Sequence, residues 1–283
     1  MKKWRLVVGS MLLLVGNFSC SHDLYPLGRA AKNAYKDNLK TMRADYMHFT
    51  PVVLPVDSLA AAQWTAPSPN FDIRSPNMVI IHHTAQQSCQ QSLRTLTNAA
   101  AKGRVSAHYL VCKDGTVYRL VDERYRAWQA GVSRWGNMRN INSLSIGIEL
   151  DNNGFEHFSQ PQIHSLLVLL ESLKRRYHIP TGNFVGHADV APTRKQDPNV
   201  YFPWGELARH GYGYGLDSLL PEPPPHFDAI AALRLIGYDV RDTTAAIVAF
   251  KRHYVQTDIS PALRPIDKRA LYDIYGKYLH YAP

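Results

Sequence analysis

The stretch Gly186-His187-Ala188-Asp189-Val190-Ala191-Pro192-Thr193-Arg194-Lys195-Gln196-Asp197-Pro198 opens on an imidazole and closes on a carboxylate, with a lysine two residues before that carboxylate. Its two prolines and its lack of apolar periodicity predict a loop with a restricted backbone. A nitrogen ligand and an oxygen ligand on a backbone that does not drift suit a metal ion, but two ligands do not complete a site. Two other β-like runs end on side chains of the same kind. Met78-Val79-Ile80-Ile81 leads into His82, and Ser145-Ile146-Gly147-Ile148 leads into Glu149. Strand ends along one edge of a sheet are where residues distant in sequence converge. His82, His187 and Asp197 then supply two imidazoles and a carboxylate. Three protein ligands and one open position is the arrangement of a catalytic zinc, whereas structural zinc is closed by four ligands and rich in cysteine. The open position admits water, whose pKa the metal lowers towards ~7. Glu149 is the candidate general base, and Lys195 the candidate group to stabilise an oxyanion on the attacked carbonyl. The chain has 13 histidines, so some fall at strand ends by chance and structural histidines are the competing reading.

These residues need a sheet to carry them. The run from Met78 is short and β-branched, as a buried strand requires. Ser92 to Lys102 has helical character. His108 to Val121 reads as a hairpin about Lys113-Asp114-Gly115. Trp128 to Asn142 reads as loop, and Ser145 to Leu150 as a strand. Ser159-Gln160-Pro161 starts a helix that runs through Tyr177, with Ile163, Leu166, Leu167, Leu170 and Leu173 on its apolar side. Asn183 to Gly186 is a last short strand that delivers His187. Strands alternating with helices, plus a hairpin, predict an α/β fold with a mixed β-sheet flanked by helices over residues 71–210. Residues 211–225, rich in glycine and then proline, read as a linker. Helices over Phe227 to Ile236, from Asp242 or Thr243 through His253, and over Asp267 to Tyr278 make a small C-terminal three-helix domain, residues 226–283.

The amino terminus carries Lys2, Lys3 and Arg5, the apolar run Leu6 to Val15, and then Gly16-Asn17-Phe18-Ser19-Cys20. This is a signal-peptide pattern over residues 1–20, too short to span a membrane comfortably. A plain cleaved signal is one reading. A lipoprotein signal, with Cys20 lipidated, is the favoured one. Residues 21–70 read as an arm: a short basic helix over Ala30 to Arg43, then Pro51, Pro55, Pro67 and Pro69 among small and polar residues. The formal charge of +9 favours an anionic partner. It is spread along the chain without a Lys/Arg block or nucleic-acid motif, which argues against nucleic acid. In an exported chain Cys89 and Cys112 can pair. The favoured reading is that they remain two unpaired, mostly buried thiols.

Five segments occur in a family order: Val79-Ile80-Ile81-His82-His83-Thr84-Ala85, Ser106-Ala107-His108-Tyr109-Leu110-Val111, Ala127-Trp128-Gln129-Ala130-Gly131, Ser145 to Leu150, and Gly186 to Pro198. Together they resemble the zinc-dependent N-acetylmuramoyl-L-alanine amidases related to bacteriophage lysozyme-amidases and peptidoglycan recognition proteins, and among these the AmiD-type outer-membrane lipoproteins. The resemblance is strong over about residues 70 to 205. Leu235 to Val240 and Ile247 to His253 resemble the peptidoglycan-binding domain that follows in such proteins. It implies zinc held by His82, His187 and Asp197, with Glu149 catalytic and Lys195 assisting. The implied reaction is hydrolysis of the amide between the lactyl group of N-acetylmuramic acid and L-alanine. The implied partners are peptidoglycan or muropeptides, and the implied location is the periplasm, at the outer membrane. A non-catalytic sensor of peptidoglycan on the same fold is the alternative, and such relatives typically lack a ligand; none is missing here. A basic anchoring protein with structural histidines is a third reading.

Three positions are expected on the substrate side. Trp128 reads as a wall of the cleft or a direct contact. Gln129 stands where the family usually has histidine, at a position that implies substrate contact. His108 matches a family position, either beside the site or as a satisfied core histidine. His83 is left out, because adjacent strand residues face opposite ways.

Overall fold

The computed structural model describes residues 26–47, 72–100 and 103–280. It divides into two compact units, Met1–Phe49 and Thr50–Pro283. The first holds α1 (Pro26–Met47), longer at both ends than the short basic helix expected there. The signal region 1–20 and the proline-containing stretch after α1 lie outside the described residues. No helix among the described residues is long and apolar enough to cross a membrane.

The second unit runs β1 (Met78–His83), α2 (Cys89–Thr97), β2 (Tyr109–Val111), β3 (Val117–Arg119), α3 (Ile141–Leu144), β4 (Ser145–Leu150), α4 (Gln160–Tyr177), β5 (Phe184–Gly186), α5 (His187–Val190), α6 (Trp204–Arg209), α7 (Ala229–Ile236), α8 (Thr243–Phe250) and α9 (Pro265–His280). The sheet order is β3-β2-β4-β1-β5. Every pairing is parallel except the β2–β3 hairpin. This is the mixed sheet flanked by helices that the alternation of elements predicts.

Side-chain parity divides the sheet into two faces. Val79, Ile81, Ile146, Ile148, Leu150 and Phe184 point to one side and pack on α4 through Ile163, Leu166 and Leu170. Full burial of such side chains stabilises by roughly 2 kcal/mol each. α4 begins as its sequence demands: the Ser159 hydroxyl accepts from the Gln162 N–H, and a proline occupies the first turn. Met78, Ile80 and Val185 point to the other side, where they share a core with Leu233, Ile236, Phe250, Leu271 and Ile274. The three C-terminal helices expected from the pattern are present, and α8 continues into a π-helical turn, Lys251–Val255. Their apolar faces close on the sheet as well as on one another, so residues 211–225, which form no helix or strand, join parts of one core.

Two expectations are corrected. Cys89 and Cys112 are disulfide-bonded, with Cα atoms 5.5 Å apart. The helix bearing Cys89 starts earlier than expected, with Ser88 as its cap, and this sets its first turn beside the end of β2. A Cα separation of that size suits a disulfide, but two cysteines 23 residues apart carry no spacing signal. The segment after Gly186 is also not wholly loop: α5 is a single helical turn, closed by the Ala191 N–H donating to the His187 carbonyl.

Candidate metal centre

Strand register brings the site together. In the β1–β4 pairing His82 lies opposite Glu149. In the β1–β5 pairing Ile81 lies opposite Gly186, so His187 follows beside His82. His82, Glu149 and His187 share the parity of Ile80, Gly147 and Val185, and so emerge on one face at the carboxyl ends of parallel strands. Asp197 returns to them because the Ala188 N–H donates to its carbonyl at 2.8 Å.

His82 Nδ1, His187 Nδ1 and Asp197 Oδ2 form a triangle with edges of 2.9, 3.0 and 3.0 Å. All three residues are buried, and they form the one metal-capable group of His, Cys, Asp or Glu among the described residues. The opposite ring nitrogens decide what faces the centre. His82 Nε2 lies 2.6 Å from Gln129 Oε1, and His187 Nε2 lies 3.2 Å from the Ala130 carbonyl oxygen. Both partners can only accept, so each neutral ring carries its proton on Nε2 and turns a bare Nδ1 lone pair inward. Two lone pairs and a carboxylate aimed at one point repel each other unless a cation lies between them. A point about 2 Å from all three atoms, the length of a zinc–nitrogen or zinc–oxygen bond, lies just off the plane of such a triangle. The residues therefore fit a divalent metal.

Glu149 stands at the rim of this triangle. Burial pushes its carboxyl pKa up and nearby Asp197 adds to the rise, while His82 and Lys195 oppose it. Its Oε2 is buried with no hydrogen-bond partner. Lys195 lines the same cleft, with Trp128 and the α2 residues Thr95 and Leu96. Trp128, expected as a wall of the cleft or a direct contact, lines this cleft, is 45 % exposed and has the Arg104 guanidinium 5.9 Å above its ring. His83 turns aside, its Nδ1 accepting from the Asn199 N–H.

Two expected substrate contacts sit differently. His108 is fully buried: its Nδ1 accepts from the Gly147 N–H at 2.9 Å and its Nε2 faces the Tyr125 carbonyl at 3.1 Å. It supports β4 from within, so the substrate-side expectation for His108 is corrected to the core alternative. Gln129 reaches the cleft, but its amide is engaged with His82 and with Ser145 Oγ.

Several supporting residues carry no sequence signal. The Asn142 side-chain oxygen accepts from the Gln129 and Ala130 N–H groups, pinning the segment that faces both imidazoles. Asp189, between the ligands, accepts from the Gly186 N–H at 2.6 Å and the Tyr238 hydroxyl at 2.7 Å, and pairs with His253 Nδ1 at 2.7 Å. His253 in turn lies flat on Trp204, ring centroids 3.7 Å apart. The C-terminal helices thus brace the loop that carries two of the three triangle residues. Tyr238 and His253 fall within tail segments that have a recognisable pattern, but nothing in their spacing points to Asp189.

Residues 72–200 match the family model described as N-acetylmuramoyl-L-alanine amidase. The chain is 37 % identical over 212 residues to the N-acetylmuramoyl-L-alanine amidase AmiD of Escherichia coli (strain K12), covering 64 % of this chain and 75 % of that protein. It is 33 % identical over 160 residues to the 1,6-anhydro-N-acetylmuramyl-L-alanine amidase AmpD of Citrobacter freundii, covering 50 % and 86 %. Among solved structures, AmiD from E. coli in complex with the substrate anhydro-N-acetylmuramic acid-L-Ala-D-gamma-Glu-L-Lys superposes with a TM-score of 0.65 at 32 % identity, over 77 % of this chain and 95 % of that one. AmpDh3 from Pseudomonas aeruginosa superposes with a TM-score of 0.66 at 29 % identity, over 80 % and 99 %.

Proposed function

The chain belongs to the N-acetylmuramoyl-L-alanine amidase family, and from that premise we propose a zinc-dependent reaction centred on His82, His187, Asp197 and Glu149. It is an enzyme that hydrolyses the amide between the lactyl group of N-acetylmuramic acid and the L-alanine of the stem peptide. The observation that supports this assignment of the site best is the convergence of two bare imidazole nitrogens and a carboxylate within 3.0 Å of one another, beside a carboxyl with an unpartnered buried oxygen.

His82, His187 and Asp197 would hold the ion. Zinc bound there supplies a Lewis acid that acidifies water and polarises a carbonyl. Glu149 takes the proton from the attacking water and passes it to the departing alanine nitrogen as the C–N bond breaks, so the products are a lactyl carboxylate and a free amine. Lys195 offers its ammonium to the oxyanion that develops on the lactyl carbonyl. Trp128 forms the wall against which the substrate lies. Residues 71–210 carry the chemistry, and residues 226–283 are read as a peptidoglycan-binding portion joined through 211–225.

The amino-terminal pattern agrees with export. We read residues 1–20 as a lipoprotein signal and Cys20 as the lipidated residue, which places the enzyme in the periplasm, anchored to the outer membrane. Digestion of purified peptidoglycan with mass analysis of the products tests the reaction. Stem peptides that begin at L-alanine are expected, and none should form with Glu149→Ala. Unchanged peptidoglycan with the zinc-loaded wild type would overturn the assignment. Radiolabelled palmitate retained by the wild type and lost with Cys20→Ala tests the anchor, and absence of label removes it.

A further inference from the structure

Gln129 is set among fixed partners in a way that a substrate-facing side chain does not require. The Ser145 hydroxyl donates to the Ile141 carbonyl at 2.6 Å, so its oxygen is left to accept. Gln129 Nε2 donates to that oxygen at 2.8 Å. The amide is thereby turned so that Oε1 faces His82 Nε2, 2.6 Å away. An amide oxygen can only accept, so the proton on His82 is held at Nε2 and the lone pair at Nδ1. Room for this side chain comes from Gly147: a Cβ there would lie 2.4 Å from Gln129 Cγ. Ser145, Gly147 and Glu149 share one face of β4, so one strand carries the prop, the vacancy and the carboxyl.

We propose that Gln129 is a positioning residue of the metal centre: through a chain of hydrogen bonds running from the Ile141 carbonyl through Ser145, it fixes the tautomer and ring orientation of His82. Partners of this kind on the far nitrogen of a ligating histidine change metal affinity by roughly 10–100-fold when removed. The chain also gives the donor and acceptor ends of the amide different duties. Oε1 acts on His82 directly, and Nε2 acts only by keeping Oε1 in place.

The proposal rests on the metal-centre reading, and the test separates the two. Zinc affinity of the full chain is measured by competition with a chromogenic chelator, alongside the melting temperature of the metal-free protein. Gln129→Leu should lower zinc affinity about 10–100-fold while the metal-free protein still unfolds in one cooperative transition, lowered by only a few degrees for the two lost hydrogen bonds. Gln129→Glu keeps an acceptor facing His82 and should bind zinc within a few-fold of the wild type. Ser145→Ala frees the amide to turn over and should fall between these two. It carries the test if Gln129→Leu does not fold, and wild-type affinity in Ser145→Ala then overturns the relay. Equal zinc binding by Gln129→Leu and wild type overturns the positioning role alone, as does a Gln129→Glu variant as weak as Gln129→Leu. A wild type that takes up no zinc overturns the metal-centre reading and this role with it.

Discussion

Alanine at position 147 should disturb the site without adding a polar group or removing one. A Cβ on Gly147 would lie 2.4 Å from Gln129 Cγ, 2.8 Å from Cδ and 3.0 Å from Cβ. The first two distances are shorter than real Cβ atoms tolerate, so the side chain must swing away. In doing so it gives up its bonds to His82 and Ser145, each about 1 kcal/mol net. The backbone itself does not object. Gly147 is not among the glycines with positive φ, and alanine in a strand interior gains roughly 0.5–1 kcal/mol over glycine. The balance is a loss of about 1–2 kcal/mol of stability in the metal-free protein. Urea unfolding of four proteins resolves it: wild type, Gly147→Ala, Gln129→Ala and the double variant. With the Gln129 side chain already gone, Gly147→Ala should cost nothing and gain roughly 0.5–1 kcal/mol, which makes the coupling about 2 kcal/mol. Equal cost of Gly147→Ala in both backgrounds would refute the idea that the glycine exists to admit Gln129.

Glu149→Gln keeps the shape and removes the base, so kcat should fall about 10²–10⁴-fold with zinc affinity unchanged; activity within tenfold of wild type in peptide-release assays would remove Glu149 from the proton-transfer role. His108 is held neutral, its pKa pushed down to about 4, chiefly by burial. The unfolded histidine titrates near ~6.5, so as pH falls the unfolded chain takes up this proton first. Stability from this residue is therefore lost between pH ~6.5 and about 4, by up to roughly 3 kcal/mol, with no contribution to the slope above that window. His108→Gln should flatten that part of the stability-versus-pH curve, and a variant curve parallel to the wild type there would refute the assignment. The bond between Cys89 and Cys112 closes a loop with a sequence separation of 23. Replacing both with serine should cost about 3 kcal/mol by the chain-entropy argument, and a non-reduced peptide map showing two free thiols would overturn the pairing.

Much of the site was legible because its residues end β-branched runs. Met78 to Ile81, Ser145 to Ile148 and Phe184 to Gly186 cannot bury their apolar side chains except in a sheet, and whatever follows them must emerge at its edge. His82, Glu149 and His187 stand out on that reasoning, and Asp197 as the carboxylate that closes the stretch His187 opens. The helix from Gln160 to Tyr177 was equally plain, since its apolar spacing, its serine cap and its early proline all agree. What sequence order could not convey is which distant groups meet. Gln129 is 47 residues from His82, and its role depends on the vacancy at Gly147 and on the polarity that Ser145 imparts. Asp189 depends on Tyr238 and His253, 49 and 64 residues away. Local patterning decides elements because it acts through neighbours at fixed periods of the backbone. Proton positions, supports and the disulfide belong to the tertiary structure because they arise only when those elements pack, and a hydrogen bond of 2.6–3.2 Å is decided by the final placement of two side chains rather than by the identity of either.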